Sequence, residues 1–430
     1  MLSLYRTADN LKRALALNGF CMMDGATPEL LTTEAANVPV FAMPEDISCE
    51  KILLLDGSYS LRSELLGSQL HTLTGHLPIA AAVCGRVYDR RDADYPSKVF
   101  LEGIYAVDGL TLRDYTTLWE KVAEEAYGIG TSLTLKEVGK DAYELVLTSD
   151  DEFVLGYTGK ASWTARAMLG LATTDTPVWV FAIDVDSVTI HDFKLADRAA
   201  LYNPQVSFLK QFDGEAPAFG ASFENKVANT LRKRGFLEFS GSKIYEAGAY
   251  RKMNMIQESW DSNNDGVLLQ EPLGTKAVLP TVLTPGLEEA LAKNWAAGEE
   301  EVKIFETGSF FHPGRGGGAP TEAPFLSIGM YGPSVDKISF RREIDAFLTE
   351  IGIRNHYFIP TTMAIAYDIT DCWLVMDEKP GYLGGNFGGI SPKAEQNHGI
   401  GTHAFMAQLE LAPLKKKAAE EYVFIPNELK

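Results

Sequence analysis

The chain has 430 residues, of which 46% are hydrophobic and 23% charged, and its formal net charge is −19. This length exceeds what one hydrophobic core usually holds, so we expect two domains, and the balanced composition excludes wholesale disorder. The acidic charge disfavours unaided binding of nucleic acid, because proteins that hold phosphate backbones normally carry basic surfaces.

The sequence carries no mark of secretion or of membrane insertion. Its four cysteines are widely scattered and form no CxxC pair, which predicts reduced thiols and neither disulfides nor a zinc site. Charged residues from Arg6 to Arg13 interrupt the first segment, so it lacks the apolar region of a signal peptide, and no apolar run reaches transmembrane length. We therefore expect a cytoplasmic protein with no membrane partner.

The two halves of the chain repeat one series of segments. LKRALALNGF, ending at Phe20, resembles VANTLRKRGF, ending at Phe236, and both predict an amphipathic helix closed by glycine. Four more pairs follow in the same order: LRSELLGSQLHTL with LPTVLTPGLEEAL, PIAAAVCGRVYD with EVKIFETGSFFH, TLRDYTTLWEKVAEEAYGI with ISFRREIDAFLTEIGI, and VWVFAIDV with AFMAQLEL. The separation between partners grows only slowly along the chain, which indicates an internal duplication.

Each copy is predicted to contain a helix, a strand, a second helix, a strand pair, a third helix and several further strands. DAYELVLTSDDEFVLGY and AYDITDCWLVMDEKPGYLGG have the pattern of hairpins, and consecutive hairpins predict an antiparallel sheet with helices on one face. The fold class is therefore α+β, with tandem domains at 1–212 and 222–415, a Gly-, Pro- and Ala-rich linker at 213–221 and a C-terminal tail at 416–430. The lysine run Lys415 to Lys417 is interpreted as a solvated helix start.

Short motifs in both copies match one family. LRSELLGSQ, GRVYD and FLEG in the first copy resemble LRTHTSPxQ, GRVYR and FHQxEG in the α-subunit catalytic core of phenylalanyl-tRNA synthetase, a class II aminoacyl-tRNA synthetase. In the second copy, LPTVLTPGLEEAL and IFETGSFF are similar to LRTSLLPGLL and LFEIGRVF in the catalytic-like module of the β subunit. The resemblance covers about residues 5 to 415. It implies two tandem class II domains, each an antiparallel sheet flanked by helices, with the α/β interface made intramolecular by fusion.

The resemblance also implies an ATP site that this sequence does not reproduce. The family places one arginine in motif 2 and one in motif 3, where guanidinium groups stabilise the charge that develops on the phosphates. Asp89 and Ser187 stand at those positions, so we expect the phosphate clamp to be lost unless Arg90 or Arg91 replaces it. ATP and Mg²⁺ enter only as cofactors that the resemblance implies.

Several charged residues of the first copy are candidates for contacting a ligand. Glu102, in FLEG, stands where the family holds the substrate ammonium, and Glu64 replaces a pocket histidine. We expect these candidates to share one concave face of the first sheet and to bind a small amino-acid-like molecule: Arg62, Glu64, Arg86, Arg90, Glu102 and Asp184. Purely structural roles compete with this interpretation, as a buried carboxylate for Glu102 and as ion-pair partners for the arginines. No catalytic residue and no metal ligand is predicted.

Three functions stay open at this point. The first, which we favour, is a phenylalanyl-tRNA synthetase-like paralogue that does not charge tRNA and that binds an amino-acid-like ligand or acts as a regulatory module. The second is an ATP-dependent ligase of the phenylalanine–tRNA ligase type, with tRNA or another acceptor. The third is a structural or interaction protein, because a fold by itself does not assign an activity. Binding of tRNA is disfavoured without a partner, and a homo-oligomer or a partner protein stays open.

Overall fold

The computed structural model describes residues 2–23, 28–35, 40, 49–54, 57–73, 77–148, 151–212, 222–246, 248–252, 266–314, 319–362, 366–378 and 381–421. The chain divides into a first unit, Leu2–Leu201 with Leu269–Gly274, and a second unit, Tyr202–Leu268 with Thr275–Lys430. The predicted linker at 213–221 lies outside the described residues. The helix Leu411–Glu420 runs across residue 416, where the sequence places the start of a tail.

The first unit is built from ten strands and four α-helices among its described residues. The strands are β1 Cys21–Met22, β2 Leu30–Thr32, β3 Ile52–Leu53, β4 Tyr59–Leu61, β5 Ile79–Tyr88, β6 Ser97–Ala106, β7 Ser132–Gly139, β8 Ala142–Thr148, β9 Glu152–Lys160 and β10 Val178–Asp184. The helices are Leu2–Leu17, Leu112–Tyr127, Trp163–Met168 and Val185–Asp192, and a 3₁₀ helix covers Leu70–Leu73.

Seven of these strands form one sheet in the order β1-β5-β6-β10-β9-β8-β7. The described pairings are antiparallel except that β1 runs parallel to β5. The helix Leu112–Tyr127, which starts at a capping box of Thr111 and Asp114, packs on one face of the sheet, where the Trp119 and Phe181 rings meet edge to face at 4.9 Å. The other face packs on Leu65 and its neighbours in a separate apolar cluster.

The second unit contains nine strands and seven α-helices in the part that the structure describes, and a tenth strand, β13, passes from it into the segment Leu269–Gly274 of the first unit. The strands are β11 Leu237–Glu238, β12 Tyr245–Glu246, β13 Val267–Leu273, β14 Lys276–Leu279, β15 Val302–His312, β16 Thr321–Tyr331, β17 His356–Pro360, β18 Tyr367–Asp377, β19 Gly381–Ile390 and β20 Phe405–Glu410. The helices are Val206–Leu209, Phe223–Lys233, Ala249–Lys252, Thr284–Ala296, Lys337–Ile351, Pro392–His398 and Leu411–Glu420.

The second unit repeats the sheet of the first. Its seven strands follow the order β11-β15-β16-β20-β19-β18-β17, which is the first order element for element, and the edge strand β11 again runs parallel to its neighbour β15. The helix Lys337–Ile351 begins at a capping box on Asp336 and ends at Gly352, which adopts a φ of 107° that suits glycine. Two mainly antiparallel sheets flanked by helices confirm the predicted α+β architecture.

One predicted helix is missing from the first unit. The helix expected over LRSELLGSQLHTL is present in its second-unit partner as Thr284–Ala296, whereas the described part of this segment forms only the 3₁₀ helix Leu70–Leu73. The backbone N–H groups of Leu65 and Leu66 donate to the Glu102 carboxylate at 2.8 and 3.0 Å. The prediction was wrong here, and the segment is instead held against the sheet by a side chain of β6, a contact that the local sequence pattern does not contain.

The lysine run also differs from its prediction. Lys415 to Lys417 lie inside the helix Leu411–Glu420 and not at its start. The Lys417 ammonium donates to Asp377 at 2.8 Å and lies 3.0 Å from Glu421, and its side chain is largely buried.

Among the described residues, no helix is both long enough and apolar enough to cross a bilayer.

Candidate functional site

Glu102 lies in the centre of the first sheet, on β6, with Val83 of β5 and Ala182 of β10 as its cross-strand neighbours. Its side chain is only 2% exposed, and Oε2 accepts the two backbone N–H groups of Leu65 and Leu66. Burial raises the pKa of Glu102 to about 7, although these two bonds and the nearby Arg62 favour the charged form. The carboxylate therefore supports the segment that covers it.

Glu64 lies close enough to Glu102 for the two carboxylates to repel each other. Burial, followed by the charge of Glu102, raises the pKa of Glu64 to about 8, against a smaller opposing effect of the Val40 backbone and Lys51. Its Oε2 is shielded from solvent and accepts no hydrogen bond from the described residues. Two buried carboxyl groups in one place favour a shared proton over two negative charges.

Asp89, at the motif 2 position, belongs to a closed ion-pair group. One oxygen accepts bonds from the Arg91 Nε at 3.0 Å and from the Glu50 N–H at 3.1 Å, and the other accepts from Arg91 Nη2 and Lys98 Nζ, each at 3.0 Å. Burial by itself raises the pKa of a carboxyl group, but these bonds outweigh it and hold the pKa of Asp89 well below its usual range. Arg91, one of the two proposed replacements for the clamp, is engaged by this carboxylate.

Arg90 points away from that group. Its guanidinium forms an ion pair with Glu271, whose side chain is 63% exposed, and its backbone N–H donates to the Glu50 carbonyl at 2.9 Å. An exposed pair of this kind contributes about 0–1 kcal/mol, so solvent or another anion can displace Glu271 at small cost.

Asp184 ends β10 and caps the helix Val185–Asp192. Its oxygens accept the Ser187 N–H at 3.1 Å and the Ser187 hydroxyl at 2.9 Å, so the residue at the motif 3 position is bonded to its own helix cap. Asp184 also accepts Arg198 Nη2 at 2.9 Å, and Arg198 Nη1 donates to Asp92 at 3.1 Å. Burial, and then the charge of Asp184, raises the pKa of the neighbouring Asp186 to about 7.

Arg62 and Arg86 hold the strands around this site. Arg62 is buried, and its Nε donates to the Arg86 carbonyl at 2.5 Å. Arg86 lies three residues after Val83 on β5, so its side chain points to the sheet face opposite to that of Val83 and Glu102. There it donates to the Ser97 hydroxyl at 3.1 Å and lies 3.6 Å from the Glu29 carboxylate.

The six candidate residues are thus divided among several places. Arg62, Glu64 and Glu102 lie together beneath the Leu65 segment, whereas Asp184 belongs to the Arg198 group, Arg90 to the Glu271 pair and Arg86 to the opposite face. Sequence reasoning missed Arg198, which stands outside every motif; the acidic run Asp184-Val185-Asp186 was the only signal that a cation would be needed nearby.

The charges at the two clamp positions differ from those that the resemblance implies. A carboxylate, Asp89, and a hydroxyl, Ser187, stand where the resemblance implies two cations, and Asp184 and Asp186 precede Ser187 in the chain. Arg91 and Lys98 lie beside Asp89, Arg198 lies beside Asp184, and all three cations are bonded to carboxylates. In the described part of the chain, no three His, Cys, Asp or Glu side chains converge as they would around a metal ion.

Comparisons with known proteins relate part of the chain to aminoacyl-tRNA synthetases. The β-chain CLM domain family of phenylalanyl-tRNA synthetase matches residues 213–411, a little under half of the chain. The solved pyrrolysyl-tRNA synthetase of Desulfitobacterium hafniense is 21% identical with a TM-score of 0.37, over 46% of this chain and 69% of that one. Residues 213–411 are therefore similar in sequence to the β chain of phenylalanyl-tRNA synthetase.

Two individual relatives are β subunits of phenylalanine–tRNA ligase. The chain is 30% identical over 110 residues to the phenylalanine–tRNA ligase β subunit of Thermobifida fusca, covering 25% of this chain and 13% of that subunit. It is 24% identical over 209 residues to the β subunit of Clostridium tetani, covering 47% of this chain and 26% of that subunit. The chain is thus similar over part of its length to phenylalanine–tRNA ligase β subunits, and its matches span about a quarter or less of these relatives. The resemblance of the first unit to the α-subunit core stays a prediction.

Proposed function

We propose that this phenylalanyl-tRNA synthetase-like protein does not activate an amino acid with ATP. Instead it binds a small amino-acid-like molecule or acts as a regulatory module. The observation that carries the proposal is Asp89. A buried carboxylate held by Arg91 and Lys98 stands where the resemblance requires a guanidinium aimed at the phosphates.

The energetic argument follows from charge. A phosphate brought near Asp89 meets a negative group that remains ionised at neutral pH, since its pKa lies well below the usual range. Reversing one charge at contact distance turns an attraction into a repulsion of similar size, which is several kcal/mol in a partly buried site. Arg91 and Lys98, the two cations at this place, are bonded to that carboxylate, so activation needs a cation that Asp89 does not already hold.

Arg90 is the one observation in favour of the alternative, an ATP-dependent ligase. Its guanidinium is bound to an exposed glutamate, and breaking that pair costs at most about 1 kcal/mol. If Arg90 turned toward bound nucleotide it would supply the missing cation, and the acceptor would be tRNA or another nucleophile.

The decisive experiment is amino-acid-dependent exchange of labelled pyrophosphate into ATP, with Mg²⁺ and each of the twenty common amino acids. We expect no exchange above background. The control pair is Arg90→Ala and Arg113→Ala, because Arg113 is an exposed arginine on the helix Leu112–Tyr127. Exchange that persists in Arg113→Ala and vanishes in Arg90→Ala would replace the proposal with the ligase. A cytoplasmic location belongs to the same proposal.

A further inference from the structure

The outer strand of the second sheet, β17, has an open edge. β17 is the last strand in the order of that sheet, and among the described strands only β18 pairs with it. An open edge presents backbone N–H and C=O groups that can accept another strand, and proteins usually block such an edge with charged side chains or with proline. The sequence of β17, HYFIP, contains no Lys, Arg, Asp or Glu, and its proline stands at the end. The edge is therefore only weakly protected against strand addition.

The corresponding edge of the first sheet carries charges. Its outer strand is β7, where Lys136 and Glu137 follow each other and both side chains are exposed. Lys136 also lies 3.4 Å from the Glu144 carboxylate of the neighbouring strand. The two sheets share one strand order, so the uncharged edge of β17 is a difference between two copies of the same fold.

The face of β17 that bears Tyr357 and Ile359 is apolar as well. These two side chains are 40% and 39% exposed, and they point to one face because they are two residues apart. Register places Tyr357 opposite Met376 of β18, and Met376 opposite Tyr382 of β19, which is 52% exposed. These three residues form an apolar row that ends at the open edge. A strand added beside β17 would extend the row by one side chain.

The chain itself is brought to the beginning of this edge. Glu421 follows the helix Leu411–Glu420. Its carboxylate accepts the backbone N–H of Arg354 at 2.6 Å and that of Asn355 at 3.2 Å. Arg354 and Asn355 immediately precede β17. These two bonds hold Glu421 beside the first residue of β17, so the segment that follows Glu421 starts next to the open edge.

The sequence after Glu421 has the composition of a strand. It begins Tyr-Val-Phe-Ile-Pro, at positions 422–426, and these positions lie outside the described residues. Aromatic and β-branched residues are the types most enriched in strands, and proline, which lacks an N–H, is typical of a strand end. Four extended residues span about 13 Å, and the five residues of β17 span about 16 Å. The segment is long enough to pair with most of the strand.

We propose that the open edge of β17 is the docking site of this chain's own residues 422–425, which add to the second sheet as one more strand. The added strand runs parallel to β17, because it starts from Glu421 beside the beginning of β17 and advances in the same direction. Alternate side chains of the segment extend the apolar row beyond Tyr357. Strand addition of this kind closes an edge that would otherwise accept another molecule.

Tethering favours the chain's own segment over a strand from a second molecule. Because Glu421 is bonded to the two residues that precede β17, the segment has an effective concentration at the edge in the millimolar range. Four residues that arrived on a separate molecule would also lose translational and rotational freedom on binding. The occupant is therefore the tethered segment.

The test is hydrogen exchange of the full chain, followed by mass spectrometry. We expect the amides of residues 423–425 to exchange about tenfold more slowly than those of residues 427–430, and this protection to persist on dilution of about a hundredfold. Successive N–H groups of a strand point to opposite sides, so one of the variants Val423→Pro and Phe424→Pro must remove a bond to β17 and abolish the protection. Leu429→Pro lies beyond the segment and should leave it protected.

Two positions on the outer strands provide a matched pair of variants. Ile359→Lys places a charge on β17 and Val138→Lys places one on β7, and both wild-type side chains are 39% exposed, so both variants should keep the melting temperature of the wild type. The exchange of residues 423–425 should become about tenfold faster in Ile359→Lys, because the lysine faces the row that the segment extends. It should stay unchanged in Val138→Lys.

Exchange of residues 423–425 as fast as that of residues 427–430 in the wild type would overturn the proposal, and so would equal protection in Ile359→Lys and Val138→Lys. Protection that disappears on dilution would assign the edge to a second copy of the chain and overturn it as well. Each of these outcomes is independent of the pyrophosphate-exchange test of the proposed function.

Discussion

Replacing Glu64 by glutamine should change how the stability of the protein depends on pH. In the native protein the Glu64 carboxyl is shielded from solvent at Oε2, lies near Glu102, and has a pKa of about 8 instead of 4.5. Glutamine has nearly the same shape and cannot ionise. The substitution therefore isolates the free-energy cost of ionising this buried carboxyl as the pH rises.

The sign follows from proton uptake. Between pH 4.5 and 8 the folded protein keeps the Glu64 proton that the unfolded chain releases, so the free energy of unfolding falls as pH rises and levels off above pH 8. Each pH unit within this window corresponds to about 1.4 kcal/mol. From pH 5 to pH 8 the full effect is about 4 kcal/mol, and access of water to part of the side chain reduces it, so we expect about 2 kcal/mol.

The assay is urea unfolding of the wild type and of Glu64→Gln at pH 5 and pH 8, followed by tryptophan fluorescence. The variant should gain about 2 kcal/mol on the wild type between the two pH values. Glu137→Gln, an exposed substitution on β7, serves as the control and should gain nothing. Equal pH dependence of wild type and Glu64→Gln would show that this carboxyl titrates normally and that the two carboxylates do not interact.

Three further outcomes are expected. Asp89→Asn leaves Lys98 largely buried beside a neutral amide and should cost about 3 kcal/mol in urea unfolding at pH 7; an unchanged midpoint would contradict the ion-pair description. Gly103→Ala places a Cβ 2.2 Å from Phe181 Cζ and 2.9 Å from the Ala81 carbonyl oxygen, so the free energy of unfolding should fall by about 1–3 kcal/mol and the melting temperature should fall with it. Adding Phe181→Leu should recover part of this loss, and an unchanged melting temperature in Gly103→Ala would refute the packing. In a gel shift at physiological salt, tRNA should stay unbound, and salt-sensitive micromolar binding would revive aminoacylation.

Much of the fold was accessible from the sequence because its signals are local or repeated. Amphipathic helices closed by glycine, such as the one before Phe20 and the one before Phe236, and alternating hairpin strands are dictated by side-chain periodicity. The repeated order then predicted two equivalent sheets, which the identical strand orders confirm. The prediction for the segment after Leu61 was wrong: its local pattern suits a helix, but the segment is bonded to Glu102 of a strand far along the chain, and local pattern does not report such a contact.

The candidate site was less predictable for a related reason. The sequence predicts from the resemblance that Asp89 and Ser187 replace two arginines, and this prediction concerns single positions. It could not show that Arg86 points away from Glu102, since the face of a strand residue depends on register, nor that Arg198 joins Asp184. Charge pairing between distant segments is set by packing and has no fixed spacing in the chain.

What the sequence by itself determined is the duplication, the α+β class and the similarity to phenylalanyl-tRNA synthetase, because each depends on local pattern or residue identity. Only the tertiary structure shows that Leu65 and Leu66 cover Glu102 in the first unit. In the second unit, Glu306, Ser327 and Gln408 align across three strands. Those three residues lie in separate segments that read as ordinary strands. They become neighbours only through hydrogen-bond register, which the packing of the whole sheet selects.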